Sequence, residues 1–219
     1  DSARYVLWLQ NEFELLKILQ SEHIVRVYSF ERLASGYALI MEDGGISLKE
    51  YFRQKQHISL EEFLSIGEKT AEILSFLHRN RIIHKDIKPS NFLITPDTHH
   101  IRIADFGIST RLTREEVGFF SINVLEGSLP YISPEQTGRV NKMIDYRTDF
   151  YSLGITFYEL LTGNVPFTAE DPIEVVYAHI TQRPDKISAK RQAIPAAVSN
   201  IVEILLEKDP ENRYQIALG

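Results

Sequence analysis

The stretch from Ile82 to Asn91 constrains this chain more than any other. Two isoleucines typical of a short strand lead into a loop that carries the carboxylate of Asp86, the ammonium of Lys88 and the amide of Asn91. A second carboxylate, Asp105, follows another apolar, strand-like segment. Phosphoryl transfer needs a carboxylate to orient the attacking hydroxyl, oxygen ligands for Mg²⁺ on the phosphates, and a cation to offset charge on the moving phosphoryl group. The pattern predicts the first role for Asp86, the second for Asn91 and Asp105, and the third for Lys88.

Five segments of the chain resemble, in the family's order, the motifs of the eukaryotic-type protein kinases. One such motif alone is weak evidence, but five in order over nearly the whole chain are strong evidence. The segments are the catalytic loop His84–Asn91, the magnesium-binding motif Asp105–Gly107, the end of the activation segment Gly127–Glu135, and the runs Asp149–Gly154 and Asp209–Arg213.

A narrower resemblance lies in the runs Ser133–Arg139 and Asp145–Asp149. They resemble the N-terminal kinase-like domain of large bacterial sensor proteins, which also carry an ATPase module, a GAF domain and a histidine kinase. This resemblance implies that other domains of the same polypeptide are partners of the chain.

The kinase resemblance implies an α+β fold of two lobes with the active site between them. Residues 1–43 are expected to form an incomplete small lobe, a helix and two strands that end at a hinge, and residues 44–219 a mainly helical large lobe. Strand-like segments before residue 42 and helical periodicity after residue 47 agree with this division. The sequence predicts helices over 7–20, 47–54, 149–161 and 195–207, and strands over 25–30 and 37–41. Two further helices are predicted to begin at a capping box at Ser59 and at Asp171.

The resemblance also implies which residues meet ATP. Glu12 takes the place of the helix glutamate that pairs with the ATP-positioning lysine. Met41 takes the place of the side chain behind the adenine pocket, and Glu42 and Gly44 the place of the hinge whose backbone bonds the adenine. From the residues alone, the alternatives are a solvated helix residue for Glu12 and a plain turn for the Asp-Gly-Gly segment after Glu42.

Two parts of the ATP-binding site of the kinase family, the Gly-rich loop and the ATP-positioning lysine, have no counterpart before Glu12. Together they form the family's ATP clamp. The first lysine is Lys17, the first glycine is Gly36, and none of the eleven glycines forms a G-x-G-x-x-G loop. Either the sequence is truncated or the protein lacks these strands, and the short segment before the helix favours truncation. Because the clamp supplies positioning, residues 1–219 are expected to bind ATP weakly, with low turnover and Glu12 as an unpaired carboxylate facing the cleft.

His84 is predicted to be a structural residue with neither an acid–base nor a metal-binding role. A lone histidine is more often packed than reactive, and the resemblance implies a buried column of His84 with Phe106, Leu16 and Val27, supported by Asp149. The neighbouring Lys85 replaces the arginine of most kinases. Since lysine offers only a point charge to a phosphate, activation is expected to depend little on phosphorylation of the activation segment.

Three residues in the second half of the chain, Ser128, Glu135 and Arg213, are expected to organise the large lobe. Ser128 takes the place of the hydroxyl that bonds the catalytic aspartate and lysine, which favours Ser or Thr over Tyr as substrate. Glu135 and Arg213 are expected to form a buried salt bridge, the alternative being two unrelated surface charges.

Composition narrows the class of protein and of partner. A net charge of −6 argues against a nucleic-acid partner, and there is no apolar run long enough to span a bilayer. The absence of cysteine excludes disulfides and thiolate metal sites and agrees with a reducing compartment. These observations predict a cytoplasmic location and no membrane segment in this region.

The function implied by the resemblance is ATP- and Mg²⁺-dependent phosphoryl transfer to Ser or Thr of protein substrates in signal transduction. The alternative is a catalytically weak or inactive kinase-like module that regulates or binds partners. The four residues with chemical roles, Asp86, Lys88, Asn91 and Asp105, favour the enzyme, whereas Lys85 and the missing clamp favour the module. A Gly-rich loop and a strand lysine encoded upstream of Asp1 would favour the enzyme.

Overall fold

The first part of the fold combines one helix with a two-stranded sheet. The computed structural model describes residues 2–34, 36–55, 58–96, 99–111 and 127–217. Its first elements are α1 Ser2–Ile18, β1 Val27–Leu33 and β2 Gly36–Met41. The two strands pair antiparallel and α1 packs against both. The predicted start of β1 at Val25 is wrong, because this buried residue instead donates its N–H to the carbonyl of Ile103, at 3.1 Å.

The remaining part is mainly helical with short strands. The elements are β3 Ile46–Ser47, α2 Leu48–Gln54, α3 Leu60–Arg79, β4 Ile82–Ile83, β5 Phe92–Thr95, β6 His100–Ile103, β7 Thr110–Arg111, α4 Arg147–Thr162, α5 Pro172–Thr181, α6 Ile187–Lys190 and α7 Ala196–Leu205. Strands β3, β5 and β6 form one antiparallel sheet, and β4 pairs with β7. The small separate sheets followed by a helical body confirm the predicted α+β class.

Side-chain caps explain where several helices begin. Ser47 before α2 and Asp171 before α5 each accept a hydrogen bond from an N–H group of the first turn. Ser59 does the same for α3 by accepting from the N–H of Glu62. The predicted capping box at Ser59 is only half formed, because the Glu62 carboxylate accepts from the hydroxyl of Tyr51, at 2.6 Å, instead of returning to Ser59.

Helix α4 lies in the middle of the helical part and is buried on almost every side. A helix apolar all round is expected in such a place, and the prediction for 149–161 holds with slightly longer bounds. The helix ends where Gly163 takes the left-handed conformation, with φ of 83°. This burial brings Asp149, in the first turn, fully inside the protein.

The salt bridge between Glu135 and Arg213 is present and buried. The guanidinium makes two parallel hydrogen bonds to the carboxylate, at 2.6 and 2.9 Å, and both side chains are almost completely inaccessible. Its other donors reach the backbone carbonyls of Arg147, Glu207 and Lys208. All five guanidinium N–H groups are thereby satisfied, so the pair ties the end of the activation segment to the last part of the described chain.

Replacing Arg213 with alanine should lower the free energy of unfolding by about 3–5 kcal/mol, because it leaves the Glu135 carboxylate buried without its cation. Urea denaturation checks this. The matched control is Lys142→Ala, which breaks the exposed ion pair with Asp209 and should cost under about 1 kcal/mol. Equal losses in the two variants would contradict the assignment of the buried pair.

Candidate active site

The loop after β4 is anchored by Asp149. Its fully buried carboxylate accepts the backbone N–H groups of His84, at 3.0 Å, and Lys85, at 2.8 Å. The Nε2 atom of His78, on α3, lies 2.9 Å from the same carboxylate. Lys85 has a φ of 68°, a left-handed conformation that costs a non-glycine residue about 1–2 kcal/mol. The contacts to Asp149 therefore hold a strained backbone directly before Asp86.

The ring of His84 is fully buried and uses both nitrogens within the protein. Its Nδ1 atom accepts the N–H of Asp86, at 3.3 Å, and its Nε2 atom lies 3.3 Å from the carbonyl oxygen of Ala104. One nitrogen accepts and the other donates, which is the pattern of a neutral imidazole. Burial lowers the pKa of His84 below its ordinary value. The geometry supports a packing role and argues against proton transfer by this ring.

The side chains expected to stack around His84 share one hydrophobic core. The His84 and Phe106 rings have centroids 4.9 Å apart. Phe106 and Leu16 are buried members of the core, and Val27 packs against it. Asp149 supports this group through the backbone of His84 rather than through its ring.

Three polar residues converge on Asp86. The Lys88 Nζ atom donates to the Asp86 carboxylate, at 2.5 Å, and to the Ser128 hydroxyl, at 2.7 Å. The Ser128 N–H donates to the other carboxylate oxygen, at 2.9 Å. The Asn91 amide nitrogen donates to the carbonyl and carboxylate of Asp86, at 2.8 and 3.2 Å. A largely buried carboxylate is thus oriented by a cation, an amide and a backbone N–H group.

Asp105 is positioned next to this cluster by strand pairing. Strand β6 runs back along β5, and the N–H of Ala104 donates to the carbonyl of Asn91, at 2.9 Å. Asp105 follows with a left-handed φ of 66°. Since the Asn91 nitrogen points to Asp86, its amide oxygen points elsewhere. An amide oxygen and a carboxylate are hard ligands of the kind that Mg²⁺ takes beside phosphate and water oxygens, so Asn91 and Asp105 fit this ion.

The position of the Glu12 carboxylate differs from the one expected from the sequence. Its carboxylate accepts the N–H of Phe106, at 3.0 Å, and only 7% of the residue is exposed. Burial raises the pKa of Glu12 to about 7, the Phe106 N–H opposes that rise, and the negative charge of Asp105 adds to it. The prediction that this carboxylate faces the cleft is therefore wrong, because Glu12 is buried and ties α1 to the backbone next to Asp105. Among the described residues Glu12 has no cationic partner, as predicted.

The predicted hinge follows β2. Half-buried Met41 packs against the core, and the N–H of Glu42 donates to the carbonyl of Arg26, at 2.9 Å. The Glu42 group able to bond an adenine is therefore its carbonyl. Gly44 passes so close to Leu93 that a Cβ atom at Gly44 would lie 2.6 Å from that side chain. This glycine lets the hinge approach the strand that follows the Asp86 loop.

Comparison with known proteins agrees with this geometry. A sequence profile described as the protein kinase domain matches residues 5–217. The chain belongs to the protein kinase family.

Bacterial kinases are among the relatives of this kinase domain. It is 38% identical over 173 residues to a probable serine/threonine-protein kinase of Clostridium perfringens, a match that covers 79% of this chain and 24% of that protein. It is 34% identical over 173 residues to the serine/threonine-protein kinase PknB of Mycobacterium tuberculosis, covering 79% and 27%. It is 32% identical over 220 residues to the serine/threonine-protein kinase PrkC of Bacillus subtilis, covering 99% and 33%. The chain spans between a quarter and a third of the length of these relatives.

Two residues that support the loop of the kinase domain were missed by the sequence reasoning. Ser109 donates its hydroxyl to the carbonyl of His84, at 3.2 Å, and Gln136 donates to the carbonyl of Lys85, at 2.8 Å. The role of His78 beside Asp149 was missed as well. Their signal in the sequence is weak, since each is a single polar residue whose role is decided by a partner many residues away.

The buried carboxylate of Glu12 should make the stability of the kinase domain depend on pH. Its pKa of about 7 lies above the ordinary value of 4.5, so the folded chain binds this proton more tightly than the unfolded chain does. The contribution of Glu12 to the free energy of unfolding should therefore fall by roughly 3 kcal/mol as pH rises from 4.5 to 7, and then stay level.

Glu12→Gln should remove this fall, which urea denaturation at pH 5 and pH 8 measures. Glu14→Gln is the matched control, because Glu14 is exposed on the same helix; it should keep the pH dependence of the parent. Parallel pH dependences of the parent and Glu12→Gln would contradict the prediction.

Proposed function

We propose that the chain is the catalytic domain of an ATP-dependent serine/threonine protein kinase. The observation that carries this proposal is the cluster in which Lys88, Ser128 and Asn91 all bond Asp86. Membership of the protein kinase family supports it, as do the names of the bacterial relatives.

Each residue of the cluster has a distinct part in the proposed reaction. Asp86 orients the substrate hydroxyl and takes its proton as the oxygen attacks the γ-phosphorus of ATP. The bond from that phosphorus to the oxygen bridging to the β-phosphate breaks, and ADP leaves with the electron pair. Lys88 stabilises the negative charge on the γ-phosphoryl group as it moves. The Lys88–Ser128 contact holds both groups in place and favours a Ser or Thr acceptor.

ATP and Mg²⁺ are the proposed substrate and metal ion. Asn91 and Asp105 would hold Mg²⁺, which when bound neutralises phosphate charge. Met41 would lie behind the adenine, with the carbonyl of Glu42 and the backbone of Gly44 bonding its edge. Glu12 would act indirectly, by holding the backbone beside Asp105.

The proposed partners are a protein substrate and other domains of the same polypeptide. The narrower resemblance to bacterial sensor proteins supports the second partner and remains a prediction, as does the division into lobes at residues 43 and 44.

No helix within the described ranges is both long and apolar enough to cross a membrane. The absence of cysteine supports a cytoplasmic location.

Two substitutions separate the proposed roles of the carboxylates. In the full-length parent protein, Asp86→Ala should lower phosphate transfer at least about 100-fold while leaving Mg·ATP affinity nearly intact, because Asp86 serves the acceptor hydroxyl. Asp105→Asn should lower transfer and also weaken nucleotide binding in the presence of Mg²⁺. Calorimetric titration with ATP, with and without Mg²⁺, measures the affinities, and thermal unfolding checks that both variants fold.

Each variant is the control for the other in this experiment. Equal losses of Mg·ATP affinity would contradict the division of roles.

Peptides that differ only in carrying Ser, Thr or Tyr test the acceptor, and preference for Tyr would contradict the proposed class of substrate.

A further inference from the structure

A groove of about 640 Å³ lies between α2, the end of α4 and α6. Its walls carry five cations from two separate helices or their ends: Lys49, Arg53, Lys55, Lys190 and Arg191. Glu159 is the acidic residue among those that line it. The chain as a whole has a net charge of −6, whereas the residues that line this groove are mostly cationic where they are charged.

Ion pairs neutralise part of this positive charge. Arg53 pairs with Glu50, Lys55 with Glu62 and Lys190 with Asp185. Each pair involves an exposed cation, so its energy is small and screened by salt.

Among the described residues, no carboxylate pairs with Lys49 or Arg191. Within the described residues, Lys49 is exposed on the first turn of α2 and its ammonium has no side-chain partner. Arg191 donates to the backbone carbonyls of Ile58 and Leu161, at 3.0 and 3.5 Å. These bonds fix the guanidinium in the wall but bring no negative charge to it.

The groove lies close to the proposed active site. Pro89 lines it and belongs to the same loop as Asp86, and its carbonyl accepts the N–H of Lys49, at 3.1 Å. On the other wall, the Tyr131 hydroxyl donates to Glu159, at 2.6 Å. The Tyr131 N–H donates to the carbonyl of Ser128, whose own N–H bonds Asp86.

A substrate polypeptide whose hydroxyl reaches Asp86 therefore lies beside this groove. We propose that the groove binds an Asp- or Glu-bearing segment of the protein substrate that flanks the phosphorylated residue, with Lys49 and Arg191 as its specificity-determining cations. Complementary charge at such a surface sets partner choice and the rate of encounter. The inference rests on the proposed kinase function, which it deepens by naming the class of substrate.

The test uses the full-length parent protein and compares three fluorescein-labelled peptides that share a central serine and differ only in flanks of Glu, Gln or Lys. Fluorescence anisotropy without nucleotide measures binding, and Mg·ATP phosphorylation measures turnover. The Glu-flanked peptide should bind at least about tenfold more tightly than the Gln-flanked one at low salt, and the preference should shrink as salt is added.

Lys49→Glu should reduce this preference at least fivefold. The substitution is compatible with the fold, because an acidic side chain suits the first turn of a helix. Arg79→Glu is the control, since it makes the same change in charge at an exposed site outside the groove; it should preserve the preference.

The outcomes separate the two proposals. Phosphorylation without a preference for Glu flanks, or equal effects of Lys49→Glu and Arg79→Glu, would overturn the groove while leaving the kinase function standing. In the full-length parent protein, tight binding of the Glu-flanked peptide with no turnover of any peptide would overturn the kinase function instead. A phosphoserine-flanked peptide that binds far more tightly than the Glu-flanked one, with the same dependence on Lys49, would overturn the choice of a carboxylate segment.

Discussion

The structure depends on one fully buried carboxylate, that of Asp149. A charge removed from water is tolerated only when hydrogen bonds or opposite charge compensate it. Here the compensation comes from two successive backbone N–H groups, of His84 and Lys85, and from the ring of His78. Because the same contacts stabilise Asp149 and position the loop, the centre of the helical part and the active site form one unit.

The strained backbone around Asp86 follows from this anchor. Lys85 and Asp105 both take the left-handed conformation, which persists only where the surrounding structure holds it. Gln136 bonds the carbonyl of Lys85, and the Phe106 N–H next to Asp105 bonds Glu12. Gln136, directly after Glu135, and helix α1 thus each support one side of the site, so a change in either is expected to reach the proposed catalytic groups.

The proposed active site and the groove beside it carry opposite charges. Asp86 and Asp105 place negative charge where a hydroxyl and a metal ion would bind, and the adjoining groove carries the cations Lys49 and Arg191. If the proposed function holds, these neighbouring regions of opposite sign would favour a substrate that is neutral at its reacting residue and acidic beside it. Pro89, which lines the groove and belongs to the same loop as Asp86, places the two regions close together.

The order of motifs in the sequence determined the family, the fold class and the residues placed around Asp86. Those residues lie close together along the loop or carry a spacing that identifies them, which is why pattern alone located them. Hydrophobic periodicity also placed most helices within a few residues, since the period of each helix is a local property. The start of β1 was misplaced because Val25 bonds a residue distant in sequence, and local pattern does not report such bonds.

The tertiary structure alone decided the partners of the buried polar groups. Nothing local showed that Glu12 bonds Phe106, that His78 and Gln136 support the loop, or that five cations share one groove. These relations join residues that are dozens of positions apart, and packing of the core brings them together. The sequence by itself determined which chemical groups the chain carries and in what order. Only the folded core decided their burial, pairing and pKa, because each depends on the distance to groups from other elements.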